Sequence, residues 1–143
     1  MFTITAKQNI VIRGLDIVTR RLNAKNVSIY TLSGSYSNAT YSKVGWQRIF
    51  QTSLRSELFP NNYNWKLDDV QVKVPIRAGL TQSFYIYNSN GLKFKTGIKE
   101  GEAYVEDDAI VIDEGRVTKS FFGNKTVGIG HFAGSVRYYI ARW

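Results

Sequence analysis

The sequence contains no cysteine and a single histidine, His131, among its 143 residues. The missing thiols exclude disulfide frameworks, thiolate metal sites and cysteine nucleophiles. One imidazole excludes a histidine metal cluster, and neither Gly34-Ser35 nor Gly134-Ser135 has the strand-to-helix setting of a serine nucleophile. These absences predict a protein that is not an enzyme, with no catalytic residue, no metal and no cofactor.

Long apolar runs are also missing. No run approaches the roughly 18 residues that cross a bilayer, so the sequence predicts no membrane span. Residues 1–7 lack a basic segment followed by an apolar one, so the sequence as given predicts no signal peptide and leaves the compartment open. A length of 143 residues predicts one domain, 1–143, with a core large enough to be stable without cross-links.

Apolar and polar residues alternate with a period of two along most of the chain, which is typical of β-strands. The alternation changes phase across Gly14, as a β-bulge would cause. Strands are predicted near residues 2–6, 10–17, 27–31, 46–52, 70–74, 84–86, 92–94, 110–112 and 136–140. About eight to nine short strands, each with one apolar face, predict an all-β fold: an antiparallel, jelly-roll-like β-sandwich.

One stretch, residues 53–68, interrupts the alternation and is predicted to be a long irregular loop. Its aromatic side chains are of the kind that stacks on sugar rings, and its basic side chains attract acidic groups. We expect a ligand-binding site here for a carbohydrate or another polyanion, formed by Arg55, Tyr63, Trp65 and Lys66. The same residue types also anchor protein interfaces, and packing of the loop onto the body is a third interpretation.

Charge is unevenly distributed, although the net charge is +8. Seven of the eleven acidic residues fall within residues 100–114, which contain no Lys or Arg. A domain with one acidic edge on a basic body can attract copies of itself head to tail, whereas a solvated acidic loop only keeps the domain soluble. Nucleic acid is disfavoured as a partner because the basic residues are spread over many strands.

The acidic edge and the tyrosines that the alternation turns outward together predict an interface between copies of the chain. The predicted interface residues are Tyr85, Tyr87, Tyr139, Glu102, Glu106, Asp107 and Asp108. The function favoured by these patterns is a non-catalytic structural module that self-associates as a homo-oligomer into a sheet, tube, shell or capsid-like layer. The alternative is a module that binds an acidic glycan or another polyanion.

A series of core and turn segments, read in order, spans nearly the whole chain. They are Phe2-x-Ile4-x-Ala6, Ile10-x-Ile12, Leu15-Asp16-Ile17-x-Thr19, Val27-x-Ile29-Tyr30-Thr31-x-Ser33-Gly34-Ser35-Tyr36, Gly45-Trp46, Val74-Pro75-Ile76-x-Ala78-Gly79-x-x-Gln82-Ser83-Phe84-Tyr85, Glu100-Gly101, Ile110-x-Ile112-x-Glu114-Gly115 and Val136-Arg137-Tyr138. Together they resemble a β-sandwich module that recurs, often in tandem, in uncharacterised proteins of diatoms and related algae. The resemblance implies a non-enzymatic module with a structural, adhesive or glycan-related role.

Overall fold

The computed structural model describes residues 1–19, 26–39, 42–52, 65–89, 91–92, 94–123 and 125–143. Within these ranges a short 3-10 helix spans Tyr36–Asn38, and no helix has the length and apolar character needed to cross a bilayer. The strands are β1 (Phe2–Ala6), β2 (Ile10–Thr19), β3 (Val27–Ser33), β4 (Gln47–Thr52), β5 (Trp65–Ile76), β6 (Thr81–Asn88), β7 (Phe94–Thr96), β8 (Ala103–Glu106), β9 (Ile110–Asp113), β10 (Gly115–Thr118), β11 (Thr126–Phe132) and β12 (Gly134–Ile140).

The strands form three antiparallel sheets. One sheet has six strands in the order β4-β3-β6-β1-β9-β8, and the other two have three strands each, in the orders β10-β11-β7 and β12-β2-β5. The sheets pack together, which confirms the predicted all-β, antiparallel β-sandwich. The alternation pattern misses β8, β10 and β11, because β8 lies in the acidic segment and glycines interrupt the apolar pattern of the other two.

The main core lies between the six-stranded sheet and the β12-β2-β5 sheet. Its residues alternate along each strand, so that each of the two sheets contributes one face. The pairing of β2 with β5 shifts between Ile12 and Gly14, which confirms the predicted bulge and keeps Leu15 and Ile17 on the core side. The most deeply buried large side chains are Phe84, Ile4, Ile10, Ile12, Leu15, Ile17, Ile29 and Val27.

A second apolar cluster lies on the other face of the six-stranded sheet. It consists of Tyr30, Tyr36, Trp46 and Tyr85. Tyr85 points out of the sandwich core, as the alternation predicts, but it is not exposed there: its side chain is only 3% exposed. The alternation places Tyr85 away from the main core, but the 3-10 helix region and the turn after β10 cover that face.

The predicted irregular loop also ends earlier than expected. Trp65 and Lys66 belong to β5, where they pair with Thr19 and Val18 of β2. A strand of twelve residues is possible here because β5 is the edge of its sheet, and Pro75 therefore interrupts no central ladder.

Replacing Phe84 with Ala is expected to lower the free energy of unfolding by about 3–5 kcal/mol, because loss of a buried ring leaves a cavity. Ile98, which is 89% exposed, supplies the control. Ile98→Ala should change the free energy of unfolding by less than about 0.5 kcal/mol. Denaturant unfolding of both variants measures the difference, and equal losses would contradict this assignment of the core.

Candidate functional site

A cleft of about 450 Å³ opens beside the end of β6. Its volume falls in the range of about 300–1,000 Å³ that is usual for ligand sites. One wall is the end of β6 with the turn that follows it, the other is β10, and β7 and β11 form the floor. The lining residues are Met1, Phe2, Tyr85, Ile86, Tyr87, Asn88, Ser89, Gly91, Leu92, Phe94, Arg116, Val117, Thr118, Lys119, Ser120, Val127, Gly130, His131 and Phe132.

The cleft lies next to the first residues of β1, which stand between β6 and β10. Phe2 of β1 pairs with Phe84 of β6. On the other side of β1, the Met1 amino group donates to the Arg116 carbonyl at 2.7 Å, and the Arg116 amide donates to the Met1 carbonyl at 2.8 Å. Neighbouring strands lie about 4.8 Å apart. Because β1 lies between β6 and β10 at Met1, these two walls are two such spacings apart.

Both walls direct backbone hydrogen-bonding groups into this space. The Thr81 carbonyl accepts from the Gly34 amide on the β3 side, and the Leu80 carbonyl accepts from the Ala6 amide on the β1 side. Because these directions alternate along a strand, the amide and carbonyl of Ile86 point into the cleft.

The same reasoning applies to β10. Arg116 bonds to Met1, and the Lys119 amide donates to the Lys125 carbonyl on the β11 side at 3.1 Å. By alternation, the amide and carbonyl of Thr118 therefore face the cleft. Backbone groups of both β6 and β10 are thus directed toward the space between the walls.

The cleft has an apolar floor and a cationic lining. On the floor, the rings of Phe2 and Phe132 stack with their centroids 4.6 Å apart. Arg116, Lys119 and His131 are the basic residues of the lining, and the lining residues that the structure describes include no carboxylate. Lys119 is exposed and makes no ion pair with any residue in the described ranges, so its charge is available to an anionic ligand.

Glu114 stands at the corner where β9 passes into β10, and its side chain is buried. One carboxylate oxygen lies 2.7 Å from Nε2 of His131. The other accepts from the amides of Ile98 and Lys99, at 2.7 and 2.6 Å. The hydrogen bond with His131, followed by those from the two amides, holds the pKa of Glu114 below its usual value. The ring of Tyr104 stacks on His131 at 4.5 Å and orients it further.

Arg116 is positioned by a second polar group beside the cleft. Its guanidinium lies 2.9 Å from Glu100, whose other carboxylate oxygen accepts from the Tyr36 hydroxyl at 2.8 Å. Burial, together with this hydrogen bond to Glu100, raises the pKa of Tyr36. The contact ties β10 to the 3-10 helix and leaves the guanidinium at the cleft wall already neutralised.

The turn between β10 and β11 covers the outer side of the cleft. Phe122 occupies the left-handed region with φ of 46°, which a residue with a Cβ rarely adopts. Its amide donates to the Tyr85 hydroxyl at 3.1 Å, and its ring lies 4.6 Å from that of Tyr85. Phe121 packs on Tyr87 at 4.7 Å. Aromatic packing therefore holds a strained turn against the six-stranded sheet.

The predicted ligand-binding residues stay a prediction. Arg55 and Tyr63 fall outside the described residues, and for Trp65 and Lys66 only the backbone in β5 is described.

The predicted interface residues are dispersed. Tyr85 and Tyr87 line the cleft, whereas Tyr139 is 46% exposed on edge strand β12. Glu106 pairs with Lys7 at 2.9 Å, and Glu102 pairs with Lys99 at 2.8 Å.

Asp107 closes the turn before β9. Burial alone would raise its pKa, but hydrogen bonds from Tyr138 and from the amides of Ala109 and Ile110 outweigh it and lower the pKa. Of the four predicted acids, only Asp108 has a carboxylate without a hydrogen bond or ion pair among the described residues. The acidic segment is thus largely occupied by contacts within the chain.

Sequence reasoning misses Arg116, Thr118, Lys119 and His131 as site residues. The cleft arises from a gap between two strands, and the alternation within each strand carries no information about that gap. One signal was present: Phe121 and Phe122 lie next to each other in a turn-like stretch, where large apolar side chains need a surface to cover.

The chain matches no protein-family model, no curated protein and no solved structure. The resemblance to the algal β-sandwich module therefore stays a prediction. Among the described ranges, no three side chains of His, Asp and Glu are grouped so that they could hold a metal ion.

Acidification should destabilise the domain through Glu114. Because its pKa is lowered in the folded state, its stabilising effect is complete above the unfolded value of 4.5 and is lost as pH falls through the lower folded value. Thermal unfolding of Glu114→Gln from pH 6 to about pH 3 should therefore show a weaker pH dependence than wild type. The exposed Glu102→Gln variant is the control and should retain the wild-type slope. An unchanged slope in Glu114→Gln would refute this role.

At Phe122, replacement by glycine should destabilise the domain less than replacement by alanine, which reverses the usual order. Phe122→Ala is expected to lower the free energy of unfolding by about 2–4 kcal/mol, because the ring contacts are lost and the positive φ remains. Phe122→Gly relieves the backbone strain and should be about 1 kcal/mol more stable than the alanine variant. Urea unfolding measures both, and a glycine variant less stable than the alanine variant would contradict the strained turn.

Proposed function

We propose that this domain is a non-catalytic structural module that self-associates into a larger assembly, and that the cleft is the contact surface between copies. The observation that carries the proposal is the cleft itself, with an apolar floor and walls formed by the end of β6 and by β10. Exposed strand edges and apolar surface are both places where another chain can attach. A cleft of this kind gains most from an occupant that contacts both walls.

The placement of the one histidine supports a non-catalytic role. A general base must be free to take a proton from a substrate. The bond between His131 Nε2 and Glu114 instead links β11 to the β9–β10 corner, and the other oxygen of Glu114 holds two amides of the turn after β7. This pair acts as a structural connection between elements.

The driving force for association is apolar and backbone contact rather than attraction between charges. The acids expected to attract a second copy are mostly engaged within the chain, as with Glu102 and Glu106. A net charge of +8 makes copies repel each other at low salt. At the same time, Val127 at the cleft mouth is 60% exposed, which leaves apolar surface for a partner to cover.

Val127→Arg should weaken self-association at least tenfold, about 1.4 kcal/mol, because it adds bulk and positive charge to a cationic cleft mouth. Val44→Arg adds the same group at a position that is 81% exposed and outside the cleft lining, and should associate like wild type. Sedimentation equilibrium over a concentration series measures all three proteins. Association of wild type should strengthen as salt rises.

A wild-type protein that stays monomeric at high concentration in both low and high salt would overturn self-association. Equal weakening by Val127→Arg and Val44→Arg would show that the contact surface is not the cleft. Thermal unfolding of both variants shows whether either substitution has disturbed the fold.

A second candidate function is the binding of an acidic glycan or another polyanion. The observation in its favour is the cationic lining, in which Lys119 carries an uncompensated charge within the described structure. Titration with a heparin-like oligosaccharide tests it, with Lys119→Ala as the cleft variant and Trp65→Ala as the variant in the segment first predicted to bind. Loss of binding in one variant alone identifies the site, and absence of binding by wild type removes this candidate.

A further inference from the structure

The outer face of the β12-β2-β5 sheet carries side chains in rows that run across its three strands. The inner face of the sheet packs on the main core through Ile12, Leu15 and Ile17 of β2. Because β2 is the central strand, both of its edges are paired. A side chain of β2 that reaches solvent therefore lies on the outer face, and Arg13 is such a side chain.

The first of these rows is basic and is centred on the bulge of β2. On one side of Arg13, the pairing of Gly14 brings Arg137 of β12 next to it. On the other side, Lys73 of β5 lies within the stretch where the β2–β5 pairing shifts. The neighbours of Arg137 and of Lys73 in sequence pack on the core, so both side chains point outward. Strands lie about 4.8 Å apart, so this basic row brings three cations close together.

The guanidinium of Arg137 has a fixed place in the basic row. It lies directly over Gly14, where an added Cβ would stand 2.6 Å from its Nη2 atom and 2.8 Å from its Cζ atom. The same Nη2 atom lies 3.4 Å from the carboxylate of Asp16, whose other oxygen accepts from the Ser135 hydroxyl. Asp16 is only 8% exposed. A glycine and a buried carboxylate therefore hold the guanidinium on the surface of the sheet.

The other two members of the basic row are not compensated in this way. Arg13 and Lys73 are both exposed, and neither makes an ion pair with a residue in the described ranges. Like charges on adjacent strands destabilise a sheet. An anionic ligand lying across the strands would remove this repulsion.

The second row lies beside the basic one and is apolar. Val11 of β2 pairs with Tyr139 of β12 on one side and with Pro75 of β5 on the other. Val11 is 3% exposed, whereas Tyr139 is 46% exposed. Tyr139 is two residues from Arg137 on the same strand and therefore shares its face. An aromatic ring thus stands next to the basic row.

We infer that this outer face binds a linear acidic polysaccharide, with anionic substituents on the basic row and a sugar ring against Tyr139. The site is separate from the cleft, so the inference goes beyond the proposed self-association and does not depend on it. Proteins that bind single-stranded nucleic acid stack successive bases on several aromatic side chains. Among the described side chains of this face only Tyr139 is aromatic, which favours a glycan.

The test measures the affinity for a heparin-like oligosaccharide by calorimetry at about 0.15 M salt, where charges more than roughly 8 Å away are screened. Arg13→Gln/Lys73→Gln should bind about tenfold more weakly than wild type. The control is Arg48→Gln/Lys95→Gln, which loses the same charge at exposed positions on β4 and β7. It should bind like wild type. Equal weakening in the two double variants would mean attraction by net charge alone and would overturn the site.

A second variant tests the position of the guanidinium. Gly14→Ala places a methyl group where the Arg137 guanidinium lies, and the flexible end of that side chain can move away without disturbing the backbone. Gly14→Ala should weaken binding about threefold in wild type and have no further effect in Arg137→Gln. Thermal unfolding shows that each variant retains the fold. Equal effects in both backgrounds would refute the contribution of Arg137.

Tyr139 distinguishes a sugar from another polyanion. Tyr139→Ala should weaken binding of the oligosaccharide about fivefold, whereas Tyr139→Phe, which keeps the ring, should bind like wild type. A duplex DNA fragment of similar charge is the competing probe. If the duplex binds more tightly than the oligosaccharide and depends on Arg13 and Lys73, the ligand is a nucleic acid and the glycan is excluded.

The cleft variants separate this site from the contact between copies. Lys119→Ala and Val127→Arg should both retain oligosaccharide binding, and that binding should weaken as salt rises, whereas self-association should strengthen. Loss of binding in Lys119→Ala, with Arg13→Gln/Lys73→Gln unaffected, would place the ligand in the cleft and overturn the outer-face site. A wild-type protein that binds no oligosaccharide would overturn the inference and leave self-association standing. Binding by a wild-type protein that stays monomeric would support the inference and overturn self-association.

Discussion

The buried carboxylate of Glu114 is the contact on which the position of β10 depends. Removing a charged group from water is costly unless hydrogen bonds replace its hydration, and here His131 and the amides of Ile98 and Lys99 do so. The three donors belong to β11 and to the turn after β7. The carboxylate therefore holds β10 against both of them, at the point where the chain leaves β8 as its partner and takes β11 instead.

The cleft follows from that corner and from the end of β1. Because β10 continues the line of β9, it lies on the far side of β1 from β6, and only Met1 separates the two strands at that level. Gly115 permits this approach, since a Cβ there would lie 1.8 Å from the Met1 carbonyl oxygen. By alternation along their strands, the backbone groups of Ile86 and Thr118 face the cleft on either side of this contact. Packing of Phe122 on Tyr85 then holds the β10–β11 turn across the outer side.

The sequence allows the sandwich to be predicted, because each core strand carries its own alternation. The bulge at Gly14 and the inward faces around Ile4, Ile12 and Phe84 are local properties of their strands. The outer aromatic cluster could not be predicted in this way, since alternation distinguishes two faces but does not show that both are covered. Tyr85 is the clearest case: it points away from the main core and is still buried, because a turn distant in sequence lies over it. The cleft is harder still to predict, because alternation within a strand does not show which strand lies beside it.

In the folded domain the acidic residues are distributed differently from what the sequence suggests. From the sequence, the run of acids is expected to attract a second copy. In the folded domain, however, three of these acids bond within the chain. The pairs are Glu100 with Arg116, Glu106 with Lys7, and Glu114 with His131. These contacts engage part of the acidic segment, and with a net charge of +8 the long-range charge separates copies rather than joining them. In the self-association that we propose, the attraction comes from short-range apolar burial, which salt does not screen. The cleft is where the described structure offers apolar surface for such a contact, while the overall charge keeps unpaired copies apart.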